Sequence, residues 1–386
     1  MNIGIVCYAS VGGSGIVATE LAKSLAARGH DVHVLSTDPP FRFGSYQPGL
    51  TFHRVHTPAY PLFREPQYVL ALASRIVHVA REVGLDILHA HYAVPHATAA
   101  YLAKQILSRT DSGVVPRVIT TLHGTDITLV GSDHSYAETV AFSIDESDGV
   151  TAVSGSLRED TYRTLAIRNP IAVIPNFLDC DVYHRVPEAA LRKRYCSAGC
   201  EKLVIHVSNF RPVKRAPSVV EVFARIAAKV PARLLLVGDG PDLAQALDTA
   251  KSLGVAKHVE ALGEQDQIIP LLSISDVFLL PSSQESFGLA ALEAMACEVP
   301  VVASRVGGLH EVIDHGSTGF LHDPSDLQGM ADSAVALLTD NELHTRVAQQ
   351  GRRCVRKRFC RDLIVPQYEA FYAKILAGHI PAGTGL

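Results

Sequence analysis

The 386-residue chain is 47% apolar and 19% charged with a formal net charge of −4, which describes an ordinary globular protein long enough for two cores. So slight a charge gives no electrostatic footing for nucleic acid or an anionic membrane. No apolar run reaches membrane-spanning length and residues 1–5 lead straight into a strand rather than a signal peptide, so a cytoplasmic location without stable membrane insertion is expected.

Strand-like and helix-like segments alternate from the start. The pattern predicts a strand over 2–7, a helix over 15–28 with Val17, Leu21 and Leu25 on one face and Gly29 as its stop, and a strand over 32–35. Between the first strand and helix lies Gly12-Gly13-Ser14-Gly15. Three glycines in four residues let backbone approach a ligand, and the helix start beyond them attracts an anion. The same residues support a rival. Residues 13–18 satisfy G-x-G-x-x-A and Asp38 follows the second strand, the fingerprint of an NAD-dependent oxidoreductase.

A helix over 71–82, a strand over 87–91, a helix over 97–107 and strands over 117–122, 148–153 and 171–174 continue the βαβ pattern of a parallel sheet. His91-Tyr92 and His123-Gly124-Thr125-Asp126 both follow strands, at the ends where open α/β sheets build ligand sites. His123 and Asp126 could orient one another, hold substrate hydroxyls, or merely cap the next helix.

Seven cysteines are scattered along the chain without C-x-x-C pairs. Even Cys196 and Cys200, the nearest two, lack partners at zinc spacing, so all are read as incidental thiols in a reducing compartment. Near Lys202 a second series begins: a strand over 203–208, a helix over 216–229, a strand over 233–238 and a helix over 243–253. Further elements follow over 259–262, 268–273, 277–280, 288–296 and 300–303, with a helical tail over 363–376. The restart argues for two similar doubly wound domains, residues 1–170 and 171–362, with the tail over 363–386 crossing back to the first.

In the second series Asn209-Phe210-Arg211-Pro212-Val213-Lys214-Arg215 joins a strand to a helix. Cations there can neutralise a departing diphosphate. Gly238-Asp239-Gly240 ends another strand, and Asp239 lacks a second carboxylate at useful spacing, so no metal is read. Most informative is Glu285-Ser286-Phe287-Gly288-Leu289, continuing to Glu293. Two carboxylates flank a small-residue turn that opens an apolar helix. The helix start suits phosphate, and each carboxylate can accept hydrogen bonds from hydroxyls, so the implied ligand is a nucleotide sugar.

The E-x7-E element, Arg211 and Lys214, Gly-Asp-Gly and the N-terminal Gly-rich turn, in this order, resemble the retaining GT-B glycosyltransferases of family 4 from about residue 1 to 375. The resemblance implies two Rossmann-like domains facing across a crevice, a nucleotide-sugar donor and no metal. Cys7-Tyr8, residues 89–97 (HAHYAVPHA), 122–131 (LHGTDITLVG) and 208–215 (SNFRPVKR) are similar to the branch that moves N-acetylglucosamine from UDP-GlcNAc to L-malate in bacillithiol biosynthesis. By this resemblance Glu293 binds the ribose, Glu285 the transferred sugar, and Arg211 and Lys214 the diphosphate. Asn209 and the segment Ser286, Phe287, Gly288 and Leu289 complete the donor side. His123 sits against the sugar near the reacting carbon, Gly13 and Gly15 approach the phosphates or acceptor, and Ser14, Tyr92 and Thr125 contact the acceptor. His123, Arg211, Lys214 and Glu285 are the expected catalytic set.

Glu298 stands where the family commonly has glycine, and His310 where it has proline. Arg42, Arg64, Arg75 and Arg117 are candidates for the acceptor's carboxylates. Sibling readings keep the fold and change the acceptor to an inositol phosphate or another sugar, and a homodimer is left open.

Overall fold

A computed structural model describes residues 1–9, 12–58, 67–110, 113–196 and 201–378. The chain divides into two compact units, one formed by Met1–Asn176 with the C-terminal segment from Asp362, the other by Phe177–Arg361. Residues 171–176, expected with the second domain, belong to the first because the strand there pairs with that sheet.

The first unit is a seven-stranded parallel sheet in the order β3-β2-β1-β4-β5-β6-β7. Its strands are β1 (Asn2–Val6), β2 (Asp31–Ser36), β3 (Leu50–Arg54), β4 (Ile87–His91), β5 (Arg117–Leu122), β6 (Gly149–Ala152) and β7 (Ile171–Val173). Helices cover both faces, so β1 beyond Asn2, β4, β5 beyond Arg117 and β6 are buried along their length. Strand β3 is an edge strand whose Leu50-Thr51-Phe52-His53-Arg54 carries no apolar run, and sequence patterning missed it. Helices Tyr68–Val83 and Thr98–Ser108 bury Leu72, Ile76, Ala99 and Ala103 against Val6, Leu35 and Leu88. The C-terminal helix Arg361–Leu376 buries Tyr368, Phe371, Tyr372 and Ile375. Gly149 makes room for it: a Cβ there would stand 2.8 Å from Ile375 and 2.9 Å from Phe371.

The second unit is a six-stranded parallel sheet, β10-β9-β8-β11-β12-β13. These strands are β8 (Lys202–Val207), β9 (Ala232–Val237), β10 (Val259–Ala261), β11 (Val277–Leu280), β12 (Val301–Ser304) and β13 (Phe320–His322). Helices Ala216–Ala227 and Leu327–Thr339 pack Val219, Phe223, Ala331 and Ala334 with Leu234 and Val302 in one core. Sequence patterning missed β13 and the helices Leu327–Thr339 and Asn341–Arg358. The reading of every cysteine as a thiol is corrected here. Cys180 and Cys360 form a disulfide across a sequence separation of 180 residues, where no local spacing could signal it. Cys7, Cys196 and Cys297 are buried free thiols, and Cys200 lies outside the described residues.

Candidate active site

In each sheet the strand order reverses once, and the loops leaving the strands on either side of the reversal become neighbours. In the second unit the reversal falls between β8 and β11. The loop after β8 carries Asn209 to Arg215; the loop after β11 carries Glu285 and the helix Leu289–Ala296. Two segments some seventy residues apart therefore meet, and Lys214 Nζ donates to Glu285 Oε1 at 2.6 Å. Ser282 Oγ donates to the same oxygen at 2.9 Å. Arg211 and Asn209 are exposed, and Arg211 makes no ion pair among the described residues.

Two glycine pairs shape these loops. A Cβ on Gly307 would stand 1.9 Å from the Glu285 carbonyl oxygen, and one on Gly308 2.3 Å from that of Ser286. Cβ atoms on Gly238 and Gly240 would stand 1.9 and 2.0 Å from the carbonyl oxygens of Ser208 and Asn209. No side chain fits at any of the four. Gly288 takes a left-handed φ of 93° ahead of the helix Leu289–Ala296, which receives no side-chain N-cap. Its first N–H groups and positive dipole end suit an anion. Phe287 is buried, edge-on to Phe359 at 5.6 Å.

Glu293, 5% exposed, accepts a hydrogen bond of 2.8 Å from the Tyr183 hydroxyl. Arg352 holds the Tyr183 segment by donating to the carbonyls of Tyr183 and of Cys180, the latter at 2.8 Å. Neither residue has a sequence signal, since Tyr183 precedes its partner by 110 positions. His206 Nδ1 donates to Leu279 O at 2.8 Å, which leaves Nε2 to accept from Ser208 Oγ at 2.8 Å.

In the first unit the reversal falls between β1 and β4. The helix Gly13–Ala27 starts in the Gly-rich turn, without a side-chain cap, beside the loop after β4. Tyr92 takes a left-handed φ of 97°, and its hydroxyl donates to Ser14 Oγ at 2.9 Å. His91 Nδ1 and His123 Nε2 share a hydrogen bond of 2.9 Å. Thr125 is half-buried on the His123 loop.

Asp126 does not orient the His123 ring. Its Oδ1 accepts from the backbone N–H groups of Gly124 at 2.9 Å and His123 at 3.3 Å, while Oδ2 accepts from Ala93 at 3.3 Å. One carboxylate thus ties the loops after β4 and β5 together. Burial pushes its pKa up to about 6 against those three donors. Burial pushes the imidazoles the other way, His89 and His123 to about 3 and His96 to about 4.

The candidate arginines scatter. Arg75 Nη2 reaches His53 Nδ1 at 3.2 Å, and Arg42 lies over Phe41, 5.4 Å from its centroid. Arg117 begins β5, at the other end of the strand from His123, and pairs with Asp148 at 3.0 Å. Arg64 lies outside the described residues. Among the described residues no group of three or more His, Cys, Asp or Glu could hold a metal ion, and no helix is long and apolar enough to cross a membrane.

The family model for Glycosyltransferase Family 4 matches residues 11–182, and that for Glycosyl transferases group 1 matches residues 188–354. The chain is 48% identical to the N-acetyl-alpha-D-glucosaminyl L-malate synthase of Bacillus anthracis over 376 residues, 97% of each chain. It is 28% identical to the D-inositol 3-phosphate glycosyltransferase of Acidothermus cellulolyticus, over 97% of this chain and 88% of that one. Two solved structures share the fold at 22% identity, each covering 98% of this chain and 100% of theirs. They are sucrose-phosphate synthase from Thermosynechococcus elongatus, with a TM-score of 0.80, and Anabaena HepE in complex with UDP-glucose, with a TM-score of 0.78.

Proposed function

The chain belongs to the family 4 glycosyltransferases and has two parallel-sheet α/β units of the GT-B class, and from that premise we propose that it moves N-acetylglucosamine from UDP-GlcNAc to the hydroxyl of L-malate. The 48% identity over 97% of both chains carries the choice of donor and acceptor. Family membership removes the NAD-dependent alternative built on residues 13–18. Asp38, the acidic residue of that fingerprint, ion-pairs with Arg54.

The donor lies along the loops at the reversal in the second unit. Arg211 and Lys214 hold the diphosphate with the backbone N–H groups of Phe287 to Leu289, and Asn209 lines the same loop. Glu293, oriented by Tyr183, accepts from the ribose hydroxyls. Glu285 accepts from the hydroxyls of the transferred sugar while keeping Lys214 in place. In the first unit Ser14, Tyr92 and Thr125 hold the acceptor, His123 meets the sugar, and Gly13 and Gly15 keep the helix start clear of side chains.

Transfer retains configuration. The malate hydroxyl oxygen bonds to the anomeric carbon on the face from which the phosphate oxygen leaves, and its proton passes to that departing phosphate. The products are UDP and the glycosylated malate. The developing charge falls on the diphosphate, where two cations, Lys214 held by Glu285 and Arg211, act together with a helix start to stabilise it. No metal is needed on this route.

Incubation with UDP-GlcNAc and L-malate tests the reading: equimolar UDP and a product of the summed glycosyl-malate mass are expected. Turnover with inositol phosphate and none with malate would replace the acceptor. Binding of NADH without binding of UDP would overturn the whole reading.

A further inference from the structure

His91 is fully buried, and its Nε2 has no hydrogen-bond partner among the described residues. Its Nδ1 has one, the Nε2 of His123 at 2.9 Å. The surrounding rings are otherwise engaged. His89 meets the Tyr372 hydroxyl through Nδ1 at 2.7 Å and Thr121 Oγ1 through Nε2 at 2.6 Å. His96 Nδ1 must donate, because its partner is the carbonyl oxygen of His91.

Burial keeps both His91 and His123 neutral at ordinary pH, so each ring carries one proton and only two arrangements exist. If His123 donates from Nε2, His91 must carry its proton on Nε2, a buried N–H with nothing to accept it. If His91 donates from Nδ1, its Nε2 is left as a bare lone pair. An orphaned buried N–H is the rarer of these two defects and loses a donor's full solvation. The second arrangement leaves the one proton of His123 on Nδ1.

We propose that His91 is a positioning residue that locks His123 in the Nδ1–H tautomer, so that His123 offers a hydrogen-bond donor and never a base. The role for His123 rests on the reading above that it meets the transferred sugar. A donor there can bind a sugar hydroxyl or an oxygen that gains negative charge. It cannot take the acceptor's proton, which accords with the leaving phosphate taking it.

The tautomer can be read without substrate, so its failure is separable from a wrong donor or acceptor. Long-range 15N–1H spectra of the full chain labelled at histidine, with His123 identified by the signals lost in His123→Gln, should show a pyrrole-type Nδ1 and a pyridine-type Nε2. The reverse pattern, or a doubly protonated ring at neutral pH, overturns the proposal. In turnover, His91→Leu should lower kcat by about 10-fold or more while the KM for UDP-GlcNAc moves far less, the size of effect typical of residues that orient a site group. His91→Asn, whose amide can donate to the same nitrogen, should recover most of that loss. Equal losses in the two variants, with the His123 tautomer unchanged in both, would also overturn it.

Discussion

Lys214 carries more of the proposed chemistry than any other side chain, because it touches Glu285 at 2.6 Å and is assigned to the leaving diphosphate. Lys214→Ala should lower kcat by about 10²-fold or more, as loss of one preorganised electrostatic contact does; UDP release at saturating donor measures it, and unchanged turnover would remove Lys214 from the mechanism. Tyr183 gives a sharper test of how Glu293 is held. The variant Tyr183→Phe deletes one hydroxyl that donates at 2.8 Å and nothing else. Hydrogen bonds to charged groups are worth about 1.5–3 kcal/mol, so UDP affinity by titration calorimetry should weaken by about 10- to 100-fold. Equal affinity in the two proteins would show that Glu293 needs no such support. Lys214, Glu285 and Glu293 could be picked out in the sequence because each belongs to a short motif that follows a strand, Glu293 within the helix that motif opens. Tyr183 and Arg352 were not, since they act from segments that only the fold brings near. Asp126 was read half correctly: its proximity to His123 was visible, but it holds backbone N–H groups rather than the ring.

The helix Leu289–Ala296 shows what a departure from the family pattern does to an element. It ends with Val299 N donating to Ala294 O at 2.9 Å and Glu298 N to Met295 O at 3.1 Å, the paired bonds of a Schellman turn. Such a turn needs a left-handed residue just past the helix, and here Glu298 fills that place with a φ of 58°. That geometry costs an ordinary residue about 1–2 kcal/mol, and glycine gives back part of the difference through its own chain entropy. Glu298→Gly should therefore stabilise the second unit by about 0.5–1 kcal/mol, read as a rise in melting temperature of about 1–4 °C; a fall would mean that the Glu298 side chain does more than occupy the turn. The glycine usual in the family is thus explained by backbone geometry, which the sequence could flag as a departure but not cost. Strands showed the same division. The mostly buried β1, β4, β8 and β11 were legible because nearly all of their positions face a core. The edge strand β3 and three-residue β13 were not, because too few of their positions face a core to leave a pattern.

At the scale of the whole chain the two-unit plan was legible in a βαβ series that restarts at mid-chain, but how unevenly buried histidines are shared out was not. His89 and His123 are pushed down to about 3, and His53, His96 and His206 to about 4; burial is the leading cause in each. The ordinary imidazole value they leave behind is 6.5. As pH falls below that value the unfolded chain takes up protons that the folded rings refuse, so stability is present above about pH 6.5 and is lost on acidification. The slope reaches about 1.4 kcal/mol per pH unit for each ring. Asp126 has the opposite sign. Raised to about 6 from 3.8, it keeps its proton in the folded state, so its contribution is present at low pH and is lost as pH rises through 6. One carboxyl group cannot offset five imidazoles over the same window, and the histidines set the direction. Four of the five lie in the first unit, since only His206 falls within Phe177–Arg361. The melting temperature should therefore rise between about pH 4.5 and 6.5 and level off above. Amide hydrogen exchange, corrected for its intrinsic pH dependence, should show β1, β4 and β5 losing protection on acidification before β8, β9 and β11. A flat melting profile, or earlier loss in the second unit, would mean that the buried rings take up protons in the folded state after all. The neutral His91–His123 pair on which the acceptor half of the site depends would fall with them.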